Sequence, residues 1–508
     1  MLSCRHSSSI VLSGLTAAMG MRSIVTSLGA QAPATSAAWS SNLQRAIYAP
    51  PDPSLYVDPP PKARLRQTIV IIRHGDRAPI SESAGSNLIV DHARWGERLP
   101  LSAAAAACDA AFPVDGPPEA IDVGSAPLGA LTARGSRQCF ELGASIRERL
   151  ERVAPHLLPN SSAHLAVRAT NIRRTQVSVQ NLLFGLLGRA QPTGEAAGSG
   201  ERAATAAPDF VVPITVRPLE AETMLPNPKR CPALAKRWDE VRAATSAEEK
   251  GTPDEALLLF ASEELGYGAG EFRLDQAREV LVCARAYGDS LPEQMTDEVL
   301  LKLMRLNAQR WFIRFADPIV ARLGMGLLVH EIQARLDMAA SAGASADADS
   351  DASSGLAVPR CVLYSGHDST LVPLLAALGI TRPHEWPQYA GSISVELAEL
   401  PALPGGLGCR LLYDDAPMPL PQAIAEATGT MAASSALGAL PPDLVEAGWV
   451  PWEGVGGFRA HLARVAVSPE QWRVECDKGG VAAEGGGEDR SLSDTLTGDK
   501  IRKPKAKL

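Results

Sequence analysis

The segment Arg73-His74-Gly75-Asp76-Arg77-Ala78-Pro79 places a nitrogen nucleophile between two cations. Arginine presents a planar fork of donors that matches a dianion such as a phosphate ester, and His74 can attack it. Gly75 lets the backbone turn close to a ligand, and Pro79 stops a strand from continuing. Asp76 alone cannot balance both arginines if the segment is buried. A solvated arginine-histidine pair is the simpler alternative, but the whole pattern at a strand end favours a phosphate site.

Three predicted strands end at charged residues. The run Thr68-Ile69-Val70-Ile71-Ile72 is apolar and β-branched, which is typical of a buried strand, and the segment above follows it. Two further strands are predicted at Leu165-Ala166-Val167 and Arg360-Cys361-Val362-Leu363-Tyr364. In an open α/β sheet, ligands bind beyond the carboxyl ends of the strands. The side chains expected to converge there are Arg73, His74, Arg77, Arg168, His367 and Asp368.

These residue types supply the parts that phosphoryl transfer through a histidine requires. The reaction needs a nucleophile, cations for the phosphoryl oxygens and an acid for the leaving alkoxide. His74 is the candidate nucleophile, and Asp368 is the candidate acid. His367 and Asp368 taken alone would be typical of a helix N-cap beside a structural histidine. Asp76 could orient His74 or pair with an arginine, and the sequence leaves both open.

The chain resembles the histidine acid phosphatases, the acid-phosphatase branch of the histidine phosphatase superfamily. The matching motifs occur in family order: segment 73–79, Leu131-Thr132-Ala133-Arg134-Gly135 with Gln138, the run Arg168 to Thr175, and Gly366-His367-Asp368. The resemblance covers most of residues 66–190 and 355–400, with a weaker match from Ser468 to Cys476.

The resemblance implies a role for each site residue. His74 would form a phosphohistidine, and Asp368 would protonate the leaving group. The expected phosphate-binding residues are Arg73, Arg77, Arg168 and His367. Neither a metal nor an organic cofactor is expected. The expected partner is a small-molecule phosphate monoester.

One motif departs from the family pattern and points to a subgroup. The family commonly has Arg-Ser-Thr-Asp where this chain has Arg168-Ala169-Thr170-Asn171. Three short motifs resemble the mitochondrial-type lysophosphatidic acid phosphatases: Thr170-Asn171-Ile172, Leu225-Pro226-Asn227 and His384-Glu385-Trp386-Pro387. A lysophospholipid is therefore among the expected substrates. The alternatives are a phosphosugar or inositol-phosphate phosphatase, a mutase-type relative, and a catalytically silent phosphate- or lipid-binding module.

The order of predicted elements indicates an α/β fold. We expect a three-layer sandwich with a central, mostly parallel sheet and a mainly α-helical cap insertion. The expected division of the chain is a targeting segment and Pro-rich arm over 1–60, a first core part over 61–189, a helical cap with flexible connections over 190–355, a second core part over 356–478 and a disordered tail over 479–508.

Charge and composition exclude several partners. The formal net charge of −8, with no basic stripe before the C-terminus, argues against nucleic acid. No uninterrupted apolar run of about 18 residues occurs, so no transmembrane segment is expected. The eight cysteines are scattered, which permits disulfides without requiring them. Cys139 and Cys361 lie in apolar patterns and are expected to be buried free thiols.

The N-terminal composition predicts a targeting signal. No acidic residue precedes Asp52, while Arg5, Arg22 and Arg45 are spread through a Ser/Ala-rich stretch, which favours mitochondrial or other organellar transit. A secretory signal is the alternative, because residues 10–21 form a moderately apolar run. The sequon at Asn160 would matter only in the secretory case.

Overall fold

The computed structural model of the chain describes residues 41–117, 127–192, 210–342, 358–381 and 385–477. Most of the expected targeting segment, most of both cap connections and the whole expected tail lie outside these residues. The described chain begins with helix α1 (Ser41–Ile47) and continues through the Pro-rich arm into the first strand. Tyr56 of this arm is buried against the sheet, where its hydroxyl donates to Glu396 over 3.1 Å.

Nine strands among the described residues form one sheet in the order β2-β4-β3-β5-β1-β6-β7-β8, with β9 beside β7. Their bounds are β1 (Arg64–Arg73), β2 (Val114–Asp115), β3 (Leu165–Ala169), β4 (Ile214–Thr215), β5 (Cys361–Gly366), β6 (Ser392–Glu399), β7 (Leu407–Tyr413), β8 (Ala416–Pro417) and β9 (Val450–Pro451).

The sheet is mixed. Strands β2, β4, β3, β5 and β1 are parallel neighbours, whereas β6, β7, β8 and β9 pair antiparallel. The α/β class is confirmed, and the parallel part is the half that carries the three charged strand ends. Strands β6, β7 and β8 are joined by short connections without crossover helices, which is compatible with antiparallel pairing, whereas three helices lie between β8 and β9.

The helices form layers around this sheet. Their bounds are α2 (His92–Gly96), α3 (Ser102–Ala111), α4 (Ala133–Val153), α5 (Arg173–Leu186), α6 (Pro232–Glu248), α7 (Pro253–Glu264), α8 (Leu274–Ala286), α9 (Asp297–Ala316), α10 (Pro318–Ser341), α11 (Asp368–Ala377), α12 (Leu420–Thr428), α13 (Met431–Gly438), α14 (Pro442–Glu446), α15 (Phe458–Val465) and α16 (Pro469–Asp477). Helices α3, α4 and α5 pack together in one layer, and α10, α11 and α15 pack together in another.

Strand β1 is the centre of the core because it has a neighbour on each side. Ile69 pairs with Val362 of β5 and with Val395 of β6, and all three side chains are buried. A continuous β-branched run is what a strand covered on both faces requires. The central strand therefore carries His74 to the sheet's carboxyl edge on a rigid support.

The segment expected to form the cap is mainly helical where it is described between β4 and β5, with non-helical stretches at 222–231, 265–273 and 287–296. Helices α6 to α9 pack on one another, while α10 also packs against β1 and α11 and so covers the sheet itself. The division of the chain into core and cap remains a prediction. Within the described residues, no helix is both long and apolar enough to cross a membrane.

Candidate active site

His74 lies directly after β1 and is buried, with 1% of its surface exposed. Its backbone N–H donates to the Gly366 carbonyl at the end of β5, and its Nδ1 lies 2.8 Å from the Gly75 carbonyl oxygen. Because a carbonyl oxygen only accepts, this bond places the ring proton on Nδ1 and leaves the Nε2 lone pair free. Burial, and then the positive charges of Arg174 and Arg73, hold the pKa of His74 well below its ordinary value. The ring is therefore neutral and nucleophilic.

A close backbone contact fixes the turn around His74. A Cβ on Gly75 would lie 2.2 Å from the Gly135 carbonyl oxygen, so a side chain cannot fit there. Thr132 caps helix α4 by accepting from Gly135 N–H, and its hydroxyl lies 2.7 Å from Asp76 Oδ2. Gln138 accepts from the Asp76 N–H over 2.8 Å. The motif at 131–138 thus anchors the His74 segment.

The two arginines of the segment have different partners. Arg73 donates to the Pro387 carbonyl, forms an ion pair of 3.0 Å with Asp368, and stacks 4.1 Å from the Tyr389 ring centroid. Arg77 donates to Glu279 of helix α8 over 2.9 Å. Both guanidinium groups are buried. The structure therefore brings Arg73 and Arg77 to the predicted site.

The guanidinium of Arg168 is paired with two carboxylates. Arg168 ends β3 as expected, but it forms ion pairs of 2.6 Å with Glu222 and 3.0 Å with Glu331, and it also donates to Thr223. Because two carboxylates match its charge, this geometry argues against the expected role of Arg168 as a phosphate ligand.

Arg174, in the first turn of α5, is the arginine that lies beside the site histidines. Its Nη2 is 3.3 Å from His367 Nδ1, while its Nε and Nη1 are buried with no hydrogen-bond partner in the described part of the chain. Burial, together with the charge of Arg77, lowers its pKa to about 9, so it stays protonated at neutral pH. The sequence analysis missed Arg174, although the run Arg168 to Thr175 contained it.

His367 and Asp368 follow β5 and open helix α11, as predicted. The His367 ring lies edge-on to His74 with centroids 5.4 Å apart, and its Nε2 is 2.9 Å from Thr170 Oγ1. Burial, and then the charge of Arg174, hold the pKa of His367 well below its ordinary value. The Thr170 contact shows why the Arg168-to-Thr175 run belongs to the site.

Asp368 is held by three donors. Its Oδ2 accepts from Arg73 and from Trp386 Nε1, and its Oδ1 accepts from the Ser369 N–H over 2.8 Å. Burial alone would raise its pKa, but Arg73 and Arg278 outweigh burial and leave the pKa well below its ordinary value. A bound phosphate dianion would compensate these arginines and favour the protonated carboxyl.

Two other buried acids have partners of their own. Asp76, whose role the sequence left open, accepts from Thr132 and anchors the turn, with its pKa raised by burial. Glu396 lies within β6 and accepts from Tyr56 and Arg410.

Helix α8 supplies further side chains that the sequence analysis did not single out. Glu279 accepts from Arg77 and from the Ile80 and Ser81 backbone N–H groups, so it fixes the segment after His74. Cys283 packs beside Arg77 and 3.4 Å from the Tyr389 hydroxyl, with its pKa raised to about 12 mainly by burial. No motif marks these residues, because they come from a helix that is distant in sequence.

Comparisons with known proteins find similarity to phosphatases. The model of the histidine phosphatase superfamily (branch 2) matches residues 64–256. Testicular acid phosphatase of Homo sapiens is 29% identical over 389 residues, which is 72% of this chain and 77% of that protein. Lysosomal acid phosphatase of Homo sapiens is 26% identical over 383 residues, 72% of this chain and 76% of that protein.

Two further similarities are more distant. Lysophosphatidic acid phosphatase type 6 of Bos taurus is 25% identical over 279 residues, 53% of this chain and 56% of that protein. The solved apo form of Hafnia alvei phytase is 16% identical with a TM-score of 0.47, covering 80% of this chain and 98% of that one. Residues 64–256 therefore carry a domain of the histidine phosphatase superfamily, branch 2, and the chain is a phosphatase similar to the acid phosphatases.

Proposed function

We propose that this phosphatase hydrolyses phosphate monoesters through a phosphohistidine at His74. The observation that carries the proposal is the state of the His74 ring: it is buried, bound through Nδ1 to the Gly75 carbonyl, and kept neutral among arginines. Such a ring presents Nε2 as a nucleophile in a site built for an anion.

In the first step, Nε2 of His74 attacks phosphorus and forms an N–P bond. The ester P–O bond breaks, its electron pair goes to the leaving oxygen, and the Asp368 carboxyl supplies the proton that converts this oxygen to an alcohol. In the second step, water attacks phosphorus, the N–P bond breaks, and the Asp368 carboxylate accepts the proton of the water. Inorganic phosphate is released and both side chains regain their starting states.

Arg73, Arg77 and Arg174 supply the positive charge that the phosphoryl oxygens need. Their guanidinium groups are buried, where charge stabilisation is stronger than in water. Arg174 has two unsatisfied donor nitrogens and therefore has the most to gain from a phosphoryl oxygen. We propose Arg174 as a phosphate ligand in the place expected for Arg168, with His367 beside it.

For the natural substrate, we propose a lipid phosphate of the lysophosphatidic acid type. The support is the similarity to lysophosphatidic acid phosphatase type 6 and to that subgroup's short motifs. Initial rates on lysophosphatidic acid, phytate, phosphosugars and phosphoproteins test this choice. A preference for phytate or phosphosugars would replace the lipid proposal and leave the phosphatase mechanism intact.

For location, we propose the secretory pathway or an organelle reached through it. A disulfide joins Cys231, just before α6, to Cys476 in α16, and disulfides persist in oxidising compartments. One relative is a lysosomal acid phosphatase. The mitochondrial location gains no support from either observation.

Glycosylation of the sequon at Asn160 tests this location, because Asn160 is exposed. Endoglycosidase treatment should increase the gel mobility of protein isolated from its own cells. An unchanged mobility, together with co-fractionation with mitochondria, would contradict the proposal.

Trapping of the intermediate tests the mechanism. The full chain is mixed with a ³²P-labelled aryl phosphate, quenched in alkali to preserve phosphohistidine, and digested for peptide mapping. We expect label on the peptide that contains His74 and none in a His74→Ala variant. Label on another residue would overturn the mechanism, and failure to turn over any monoester would support the silent binding module instead.

A further inference from the structure

Arg278, on the inward side of helix α8, is a second buried cation beside the proposed acid. Its side chain is 5% exposed, and its Nε has no hydrogen-bond partner within the residues that the structure describes. The guanidinium carbon lies 4.2 Å from the ring centroid of Trp386. In the mechanism above, Arg278 acts only through its charge, which lowers the pKa of Asp368, and no contact with the substrate is assigned to it. A buried donor without an acceptor destabilises the free protein, which points to a missing partner.

The position of Arg278 relates it to the leaving group. Trp386 donates from Nε1 to Asp368 Oδ2 over 3.1 Å, so the same indole ring touches both the proposed acid and Arg278. Asp368 must approach the ester oxygen in order to protonate it. The alcohol part of the substrate continues from that oxygen, so the side chains beside Asp368 are the candidates to contact it.

The groups around Arg278 indicate which kind of substrate group would accept a hydrogen bond from its guanidinium. Trp311 packs edge-on against Trp386 with centroids 5.6 Å apart, so the walls are aromatic. Asp275, which accepts from Trp311 Nε1 over 3.1 Å, places negative charge near Arg278. A second anion on the substrate would be repelled by this carboxylate, whereas a neutral oxygen would accept from the guanidinium without repulsion.

We propose that Arg278 and Trp386 form a subsite for the alcohol part of the substrate, and that this subsite selects monoesters with a neutral oxygen acceptor near the ester oxygen. A hydroxyl on a glycerol unit meets this description, and so does an ester carbonyl. Trp386 packs against the hydrocarbon, and Arg278 donates to the oxygen. The inference rests on the proposed function, because it assumes that Asp368 marks the leaving-group side.

The test compares two alkyl phosphates that share a primary ester. Glycerol 3-phosphate carries hydroxyls, and propyl phosphate does not. The wild-type chain should have the higher kcat/KM for glycerol 3-phosphate. Because hydrogen bonds to charged groups are strong, Arg278→Met should lower the ratio of the two kcat/KM values by about 10-fold or more. Arg278→Lys keeps a charge but loses the planar fork, and it should give an intermediate ratio.

Arg314→Met is the matched control. Arg314 is also a buried arginine against this aromatic cluster, but its guanidinium stacks on Trp238 and Trp311 rather than on Trp386. This variant should lower thermal stability and leave the substrate ratio at the wild-type value.

Several outcomes would overturn the inference. One is the absence of any preference for glycerol 3-phosphate in the wild-type chain. This outcome is measured without a variant, so it does not depend on whether a variant folds. Another is equal loss on both substrates in Arg278→Met, which would make Arg278 a positioning residue for Asp368. A wild-type preference for 3-phosphoglycerate, lost in Arg278→Met, would show an anion subsite instead. Failure of the proposed function is distinct, because the wild-type chain would then turn over no monoester, aryl phosphates included.

Discussion

Two groups of buried arginines lie on different parts of the sheet, and they differ in how their charge is balanced. In the sheet cluster (Arg149, Arg410, Glu396, Asp415 and Tyr56), each arginine has its own carboxylate: Arg410 pairs with Glu396 over 2.9 Å, and Arg149 pairs with Asp415. In the phosphate cluster (Arg73, Arg77, Arg174, His74 and His367), Arg174 has no carboxylate partner in the described chain, and its hydrogen bond goes to His367.

The comparison teaches that burial does not by itself distinguish a functional arginine from a structural one. Both clusters are almost completely buried. Charges removed from water are stable only when matched, and the sheet cluster is matched by the protein's own carboxylates. The phosphate cluster contains Arg174, whose charge no carboxylate in the described chain matches in an ion pair, and a bound dianion would match it. The predictions below test this difference, from the largest expected effect to the smallest.

The largest effect is expected for the nucleophile. His74→Ala should lower turnover by about 10⁴-fold or more, because no other side chain supplies the attacking nitrogen. His461→Ala is the matched control: His461 is also buried and bonds to one backbone carbonyl, that of Leu378, but it lies outside the cluster. The control should lose stability and keep its turnover per folded molecule. Comparable turnover losses in both variants would remove the distinction between the two histidines.

The next effect concerns the acid. An alkoxide leaves slowly without a proton, and a positioned acid contributes about 10²–10⁴-fold. Asp368→Asn should therefore lower kcat on glycerol 3-phosphate by about that factor, and should affect an activated aryl phosphate much less. Initial rates on the two substrates measure the difference. Equal losses would place the acid elsewhere.

A pair of variants on neighbouring segments tests the comparison directly. Arg174→Met should lower kcat/KM by about 10²-fold on alkyl and aryl substrates alike and weaken inhibition by inorganic phosphate, because charge-assisted bonds to the shared phosphoryl group are lost. Arg168→Met should instead lower the free energy of unfolding by about 3 kcal/mol, since it leaves Glu222 buried without its cation. If Arg168→Met weakens phosphate inhibition as strongly as Arg174→Met, the assignment of the two arginines is wrong.

The smallest effect concerns how the free energy of unfolding depends on pH. His74 and His367 have folded-state pKa values well below the unfolded value of 6.5, so below that pH the unfolded chain binds more protons than the folded one. Stability should fall as pH decreases through 6.5, by up to roughly 1.4 kcal/mol per pH unit for each histidine. Urea unfolding at pH 7 and pH 5.5 measures the slope. His74→Ala should have a shallower slope than the wild-type chain, and an unchanged slope would show that His74 is not held neutral.

The sequence determined the local elements and the candidate site residues that follow them. The run before Arg73 is β-branched and became the central strand, and the other two predicted runs became β3 and β5. His74 and Asp368 were identifiable because each lies within two residues of the end of a strand, and the carboxyl ends of neighbouring parallel strands lie at one edge of the sheet.

Only the tertiary structure decided which arginine faces the phosphate cluster and which faces carboxylates. Arg168 ends a strand and Arg174 begins a helix, and the direction of each side chain depends on how α5 and the Glu222 segment pack. The same holds for Glu279 and Arg278, which α8 brings to the site from a distant part of the chain. Local sequence patterns report the conformation of a segment, whereas the matching of buried charges depends on contacts between segments, and these form only when the chain folds.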